Sequence, residues 1–266
     1  MQPMLNIAIR AAHKAGDFIV RKINKLPELK VEVKAHNDYV SEVDRQAENL
    51  IISELLKAYP DHGILAEESE AIDGAGEYRW IIDPLDGTTN YLHGFPHYAV
   101  SIACEQAGKL TQAVVYDPYK QETFAASKGS GATLNNRRIR VAGLKTLPGA
   151  LLATGFPFRD PRHLDEFMTT FRAFFEQAGD VRRAGSAALD LAYVAAGRLD
   201  GYWESGLAAW DLAAGALIVR EAGGLVTDYD GEAGFLDSGE VVAANPRMIG
   251  EMLRLIQSKR QAAQKD

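Results

Sequence analysis

Residues 80–90 read WIIDPLDGTTN, a hydrophobic run that ends in two acids, a proline and a glycine-threonine pair. The apolar start is typical of a buried strand. Because the φ angle of Pro84 is fixed, the proline interrupts the strand and lets the carboxylates of Asp83 and Asp86 converge. The backbone carbonyl of Leu85 lies between the two acids. These are the oxygen ligands that hard divalent cations prefer, so the stretch predicts a metal site.

The end of the same stretch predicts a phosphate site beside the metal site. Gly87, Thr88 and Thr89 can start a helix, and the first N–H groups of a helix lack internal partners and bind anions. The alternative is a plain turn in which Asp86 caps the following helix. A turn does not require two spaced acids, a proline and a hydroxyl pair after a strand. The whole pattern therefore favours a functional loop.

Other acids occur where predicted strands end or predicted helices start. Glu67 and Glu68 follow the strand-like run 64–66, and ligands of α/β proteins commonly bind at such strand ends. Solvated surface acids are the alternative. Glu204 follows the predicted strand 201–203. Asp211 starts a helix, where it either joins a metal site or only complements the helix dipole.

The composition is that of an ordinary globular protein, with 47% hydrophobic and 24% charged residues in a chain of 266. The formal charge of −7 argues against a general nucleic-acid binder. If the acidic chain binds phosphate, a bound cation must reverse the local potential. Cys104 is the only cysteine, which excludes an intrachain disulfide. No signal-like or long apolar segment is evident, so we expect a cytoplasmic protein without a membrane span.

Hydrophobic periodicity predicts a mixed α/β (α+β) fold. Helical spacing covers residues 4–22 and 43–55, and short strand-like runs follow between residues 64 and 126. We expect an N-terminal α+β lobe, residues 1–145, that carries the metal and phosphate loop. An α/β lobe, residues 146–266, completes the site within one continuous unit. The helices predicted in this second lobe cover residues 161–177, 186–198 and 209–222.

Six segments resemble the inositol monophosphatase family, in the family's order and at similar separations. Three of them look like its signature blocks and cover residues 67–69, 80–90 and 210–215. The other three cover residues 38–44, 185–188 and 221–224. The likeness covers nearly the whole chain and is greatest for the bacterial extragenic suppressor type. It implies a layered αβαβα sandwich of the inositol monophosphatase/fructose-1,6-bisphosphatase type, usually a homodimer.

The resemblance also implies a set of two or three Mg²⁺ ions. Glu67, Asp83 and the carbonyl of Leu85 would hold the first ion. Asp83, Asp86 and Asp211 would hold the second. A third, weaker site is expected at Glu67 and Glu68, which both belong to the first signature block.

The roles implied for the remaining site residues are catalytic or substrate-binding. Thr88 and Glu67 would orient and deprotonate the attacking water, and Asp44 would hydrogen-bond the hydroxyl of Thr88. The residues implied to contact the phosphate ester are Asp86, Gly87, Thr88, Thr89, Ala187 and Glu204.

The function implied by the resemblance is magnesium-dependent, lithium-sensitive hydrolysis of myo-inositol 1-phosphate or a similar sugar phosphate. The runner-up substrates are fructose 1,6-bisphosphate and 3'-phosphoadenosine 5'-phosphate. A bisphosphate needs a second anion site, which Arg182 and Arg183 leave open. From a different class, relatives of the suppressor type are associated with RNA polymerase and Nus antitermination factors, so a binding role beside catalysis is a second hypothesis.

Two features near the signature blocks have no clear role. Lys34 matches a family lysine, but the spacing to Asp38 is one residue shorter than in some members. His93 and His97 suggest a zinc site at first sight. We disfavour it because residues 94–96 (GFP) break any helix between the two histidines, and hard oxygen ligands surround the predicted site.

Overall fold

The computed structural model describes residues 3–23, 26, 31–35, 38–157 and 161–263. A short 3-10 helix, Pro161–His163, leads into the fourth α-helix. The α-helices are α1 Pro3–Lys22, α2 Glu42–Ala58, α3 Thr88–Leu92, α4 Leu164–Gln177, α5 Ala187–Ala195, α6 Ala209–Glu221, α7 Phe235–Ser238 and α8 Ile249–Ala263. The strands are β1 Val31–Ala35, β2 Asp38–Ser41, β3 Gly63–Ala66, β4 Tyr78–Asp86, β5 Ala99–Gln106, β6 Lys109–Asp117, β7 Glu122–Ser127, β8 Gly131–Leu134, β9 Arg137–Arg138, β10 Leu151–Thr154, β11 Asp180–Arg182, β12 Gly201–Glu204, β13 Leu225–Thr227 and β14 Val241–Ala244.

The strands form two large sheets and one hairpin. The first sheet has seven strands in the chain order β3 to β9, and only the β3–β4 pair is parallel. The second sheet has the order β11-β10-β12-β14-β13 and mixes parallel with antiparallel pairs. Strands β1 and β2 pair with each other as an antiparallel hairpin.

The two faces of each sheet pack against different helices because side chains alternate along a strand. On β4, Trp80 and Ile82 pack with α1 and α2, whereas Ile81 faces α5 and α6. On the second sheet, Tyr202 faces α5 and α6, whereas Trp203 packs with α4 and α8. The layer order is therefore helix, sheet, helix, sheet, helix, which confirms the predicted αβαβα sandwich.

The predicted helices and strands are present, but some of their bounds differ, and the strands β1, β2 and β11 were not predicted. The helix predicted over 186–198 ends at Ala195, where Gly197 adopts a positive φ of 70°. The strand predicted to end at Asp83 continues to Asp86, with an irregular register between those two residues. The division into lobes at residue 145 stays a prediction, because the central core takes side chains from both sheets.

Candidate active site

Three buried aspartates from two distant parts of the chain form the centre of the site. Asp83 and Asp86 lie at the end of β4, and Asp211 lies in the first turn of α6. One carboxylate oxygen from each lies within 4.8 Å of the others. The structure thus brings together three of the metal ligands that the sequence and the resemblance predicted.

The local backbone at Pro84 explains how the two β4 aspartates face the same point. The pairing of β4 with β5 is regular up to Asp83 and resumes only at Asp86. The N–H group of Leu85 donates to Asp83 Oδ1 over 2.9 Å, which closes a tight turn between the two acids. Without that interruption, residues three apart on a strand would point to opposite faces of the sheet.

The second aspartate also joins the two halves of the chain. Asp86 Oδ2 accepts hydrogen bonds from the hydroxyl of Ser186, at 2.6 Å, and from the N–H of Ala188, at 2.7 Å. Asp211 Oδ2 accepts from the N–H of Ala208 at 2.7 Å. Asp211 therefore caps α6 and also lies in the cluster, so its position at the helix start does not exclude a role in the predicted metal site.

Acidic neighbours dominate the electrostatics of the cluster. Burial and the charges of Glu67, Asp86 and Asp211 raise the pKa of Asp83 well above its usual range. Burial and the charge of Asp211 raise the pKa of Asp86 to about 7, although hydrogen bonds from Ser186 and Ala188 oppose the shift. Buried carboxylates that repel one another fit a cation, and an all-oxygen donor set suits Mg²⁺.

The acids of the first signature block are placed differently from each other. The N–H of Glu67 donates to the carbonyl of Ile82, so this residue continues the pairing of β3 with β4 and lines the cavity of the site. Glu67 lies outside the group of three aspartates, but its charge acts on Asp83. The N–H of Glu68 donates to Glu48 Oε2 at 2.8 Å.

Asp44 lies next to Thr88, as the family resemblance implied. The hydroxyl of Thr88 is 2.9 Å from Asp44 Oδ1 and 3.0 Å from the carbonyl of Leu85, and it can donate its one hydrogen to either. Asp44 Oδ2 accepts from the N–H and the hydroxyl of Ser41, the cap of α2. Burial raises the pKa of Asp44, and these hydrogen bonds oppose the shift.

The predicted phosphate loop forms the start of α3. Gly87 has a φ of +94°, a conformation that favours glycine. A Cβ atom there would also lie only 3.0 Å from the carbonyl oxygen of His97. Thr88 and Thr89 follow as the first residues of the helix.

A cavity of about 570 Å³ opens beside the acids. All the residues predicted to bind the ester line this cavity, namely Asp86, Gly87, Thr88, Thr89, Ala187 and Glu204. Burial raises the pKa of Glu204 to about 7, and a hydrogen bond from Tyr202 opposes the shift. The two ends of the chain segment 87–204 thus meet in one pocket.

The sequence alone assigns no definite role to two arginines, two histidines and a lysine, and the structure places most of them. Arg183 lines the cavity and lies over the ring of Phe156 at 5.3 Å, whereas Arg182 pairs with Asp180. His93 is exposed with Nδ1 at 2.9 Å from the carbonyl of Thr89, and His97 is buried edge-on against Tyr193. Lys34 lies on β1, whose side chains are outside the described part of the structure.

Several contacts of the site had no signal in the sequence. Ser186 belongs to a block that carries the family resemblance, but nothing local showed that it would bond to Asp86, one hundred residues away. Asn90 donates from Nδ2 to the carbonyls of His97 and Ala184, at 2.8 and 2.9 Å. Only the folded chain reveals such partners.

Comparison with known proteins gives consistent matches over the full length of the chain. The model of the inositol monophosphatase family matches residues 1–262. The Nus factor SuhB of Pseudomonas aeruginosa is 56% identical over 262 residues, 97% of each chain. The Nus factor SuhB of Escherichia coli K12 is 48% identical over 254 residues, 95% of each chain.

Solved structures with the same fold include suppressor proteins and phosphatases. The crystal structure of the extragenic suppressor protein SuhB from Bartonella henselae has a TM-score of 0.94 at 45% identity, over 96% of this chain and 98% of that one. The Thermotoga maritima IMPase has a TM-score of 0.89 at 34% identity, over 98% and 99%. The sequence, the layer order and the acidic site agree with these matches, and the chain belongs to the inositol monophosphatase family.

Proposed function

We propose that this protein is a magnesium-dependent phosphomonoesterase that hydrolyses myo-inositol 1-phosphate and similar sugar phosphates. One observation carries the proposal: three buried carboxylates whose oxygens lie within 4.8 Å of one another share one cavity with a loop suited to phosphate. Family membership supports the same reaction class.

In this proposal the cations are held by an acid directly after β3, by two acids of β4 and by one of α6. Glu67, Asp83 and the carbonyl of Leu85 form one ligand set, and Asp83, Asp86 and Asp211 form the other. Bound Mg²⁺ supplies positive charge that offsets the phosphoryl oxygens and lowers the pKa of water. The ligands stay in place because hydrogen bonds from Leu85, Ser186 and Ala208 orient the three aspartates.

Proton handling falls to Thr88, Asp44 and Glu67. When Thr88 donates its hydrogen to Asp44, its oxygen can only accept, and it therefore orients a water by accepting one of the water's hydrogens. Glu67, at the edge of the cluster, takes the proton that the attacking water loses. The N–H groups of Gly87 and Thr88 hold the phosphoryl group in line for attack, so no covalent phosphoenzyme is required.

The alcohol part of the ester lies toward the second half of the chain. Glu204, Asp86 and the backbone at Ala187 line the cavity there, and carboxylates and carbonyls accept hydrogen bonds from sugar hydroxyls. These contacts would orient a polyol and explain a preference for sugar phosphates.

Phosphate release from myo-inositol 1-phosphate, with and without Mg²⁺, tests this function. We expect release that depends on magnesium and that Asp86→Asn abolishes. Asp17→Asn, an exposed acid on α1, is the matched control and should retain wild-type activity. Failure of the wild type to release phosphate from this ester in Mg²⁺ would contradict the proposal.

A bisphosphate substrate is the alternative within the same chemistry, and Arg183 is the observation that favours it. The residue lines the cavity and is one of two adjacent arginines. Fructose 1,6-bisphosphate and 3'-phosphoadenosine 5'-phosphate should therefore be assayed as competitors. A higher kcat/KM for either one, lost in Arg183→Gln, would replace the inositol ester as the substrate. Inhibition by lithium should be measured in the same assays.

A second role in transcription antitermination is supported by relatives named Nus factor SuhB at 48% to 56% identity. We propose RNA polymerase and Nus factors as protein partners, a homodimer as the assembly, and the cytoplasm as the location. Among the described residues, no helix is long and apolar enough to cross a membrane. Pull-down of polymerase by wild type and by Asp83→Asn separates the two roles, and light scattering gives the assembly state.

A further inference from the structure

Tyr202 and Glu204 lie two residues apart on β12, so their side chains share one face of the sheet. That face looks toward α5 and α6, and the ring of Tyr202 is completely buried in the central core. The hydroxyl of Tyr202 donates to Glu204 Oε2 over 2.5 Å. Tyr202, a residue of the core, therefore fixes the carboxylate of Glu204, a residue that lines the cavity.

Gly155 supports the carboxylate of Glu204 from the neighbouring strand. It follows Thr154, which pairs in parallel with Trp203. A Cβ atom on Gly155 would lie 2.0 to 2.2 Å from the three atoms of the Glu204 carboxylate. Gly155 is not among the glycines with positive φ, so close approach alone requires glycine here. The carboxylate is thus held between a hydroxyl and a bare Cα atom.

The surroundings explain why a neutral donor suits this position. The charges of Asp86, Asp190 and Glu204 all act on Tyr202, and Asp190 is only 2% exposed. A lysine in place of Tyr202 would neutralise the carboxylate, whereas a phenol hydroxyl fixes its direction and leaves it able to accept further hydrogen bonds. Oε1 of Glu204 remains available to the hydroxyl groups of a ligand.

We propose that Tyr202 is a positioning residue that makes the site selective for phosphate esters of polyhydroxylated alcohols. It acts through Glu204, which it aims at the hydroxyl groups next to the ester. Phosphate esters without such hydroxyls, such as phenyl phosphate, gain nothing from this contact. The inference rests on the proposed phosphatase function and adds to it the residue that positions Glu204.

The test compares binding and turnover in Tyr202→Phe, which removes one oxygen atom and keeps the ring. Calorimetry in Mg²⁺ with the non-hydrolysable phosphonate analogue of myo-inositol 1-phosphate should show about tenfold weaker binding, the size expected from loss of a hydrogen bond to a charged group, with inorganic phosphate unchanged. In turnover, KM for the inositol ester should rise about tenfold, while kcat/KM for phenyl phosphate changes less than twofold. Tyr91→Phe is the matched control, because it removes the bond from a buried tyrosine to the carbonyl of Ile19.

Two further variants separate positioning from a general structural effect. In a Glu204→Ala background, Tyr202→Phe should have no additional effect on inositol-ester binding, since its target is gone. Gly155→Ala should displace the carboxylate and produce the same selective loss. Equal losses for the inositol ester and phenyl phosphate, or additive effects in the double variant, would overturn the inference. Wild type that binds the inositol ester selectively but never hydrolyses it would instead refute only the proposed function.

Discussion

Asp83 and Asp117 are both buried at the ends of strands, with 1% and 0% of their surface exposed, yet their surroundings are opposite. Asp117 forms an ion pair with Lys120 at 2.6 Å and accepts from the N–H groups of Tyr119 and Lys120. The neighbours that act most strongly on Asp83 are Glu67, Asp86 and Asp211, all acids.

The difference shows that the Asp117 site stabilises the fold, whereas the acids around Asp83 lower its stability and serve function. A buried charge is tolerated when a partner and hydrogen bonds compensate its loss of hydration, as at Asp117. At Asp83 the charged neighbours are acids, and the cation proposed above would supply the compensation. An acid cluster of this kind destabilises the empty protein and stabilises the loaded one.

The largest expected effect is on activity. Asp83→Asn should lower kcat/KM for the inositol ester by about a thousandfold or more, because it removes the carboxylate that the proposed function assigns to both cations. Asp117→Asn should stay within about threefold of wild type in the same phosphate-release assay at saturating Mg²⁺. A comparable loss in both variants would mean that the two aspartates do not differ in function.

The Asp117 side of the comparison can be tested through pH, because His97 lies beside the Asp117–Lys120 pair. Burial, and then the charge of Lys120, lower the pKa of His97 from 6.5 to about 4. The unfolded chain therefore takes up this proton first as pH falls. Stability present above pH 6.5 should be lost between pH 6.5 and 4, by up to about 3 kcal/mol.

Urea unfolding at pH 7 and pH 4.5 measures this loss, with His97→Phe as the reference that lacks the titrating group. As pH falls, the free energy of unfolding of the wild type should decrease relative to that of His97→Phe. A difference that is flat with pH would show that His97 is not held neutral by burial.

Addition of Mg²⁺ should stabilise the wild type by about 2.7 kcal/mol when its concentration is one hundred times the Kd. Asp117→Asn should gain as much, since its defect lies outside the acid cluster. Asp83→Asn should gain much less. Thermal unfolding over a magnesium titration measures all three, and equal gains would place the cation elsewhere.

The smallest expected effect is on the metal-free protein, and here the two variants should differ in sign. In EDTA at pH 8, Asp83→Asn should raise the free energy of unfolding by about 1 kcal/mol because repulsion is relieved. Its amide oxygen can still accept from the N–H of Leu85. Asp117→Asn should lower it by about 2 kcal/mol because Lys120 loses its partner. Urea unfolding measures both changes. If the free energy of unfolding changes with the same sign in the two variants, the two aspartates do not differ in their effect on stability.

The sequence predicts those parts of the site that are local. Asp83, Asp86 and Gly87 belong to one stretch, and proline and glycine chemistry accounts for their geometry. Asp211 lies 125 positions after Asp86, and the sequence around it was equally compatible with a residue that only starts a helix. The fold, anticipated through the family resemblance, brings it to the cluster.

The order of layers was harder to predict from periodicity than the elements themselves. Helix α1 buries one face, so its pattern indicates an outer helix. Helix α6 is buried at every residue from Asp211 to Val219, and such all-round hydrophobicity indicates a central helix. That signal was present in residues 212–219. The partners of Asp86, namely Ser186 and Ala188, could not be predicted, because hydrogen bonds between distant segments leave no trace in local composition.

The central layer has a consequence for synthesis on the ribosome. The inner face of the first sheet, complete by residue 138, is covered by α5 and α6, which end at Glu221. A nascent chain of 145 residues would therefore expose that face until about 75 more residues have emerged, roughly 4 to 15 seconds at ordinary elongation rates. During that interval the seven-stranded sheet is open to chaperones and to aggregation, whereas the outer face is already covered by α1 and α2.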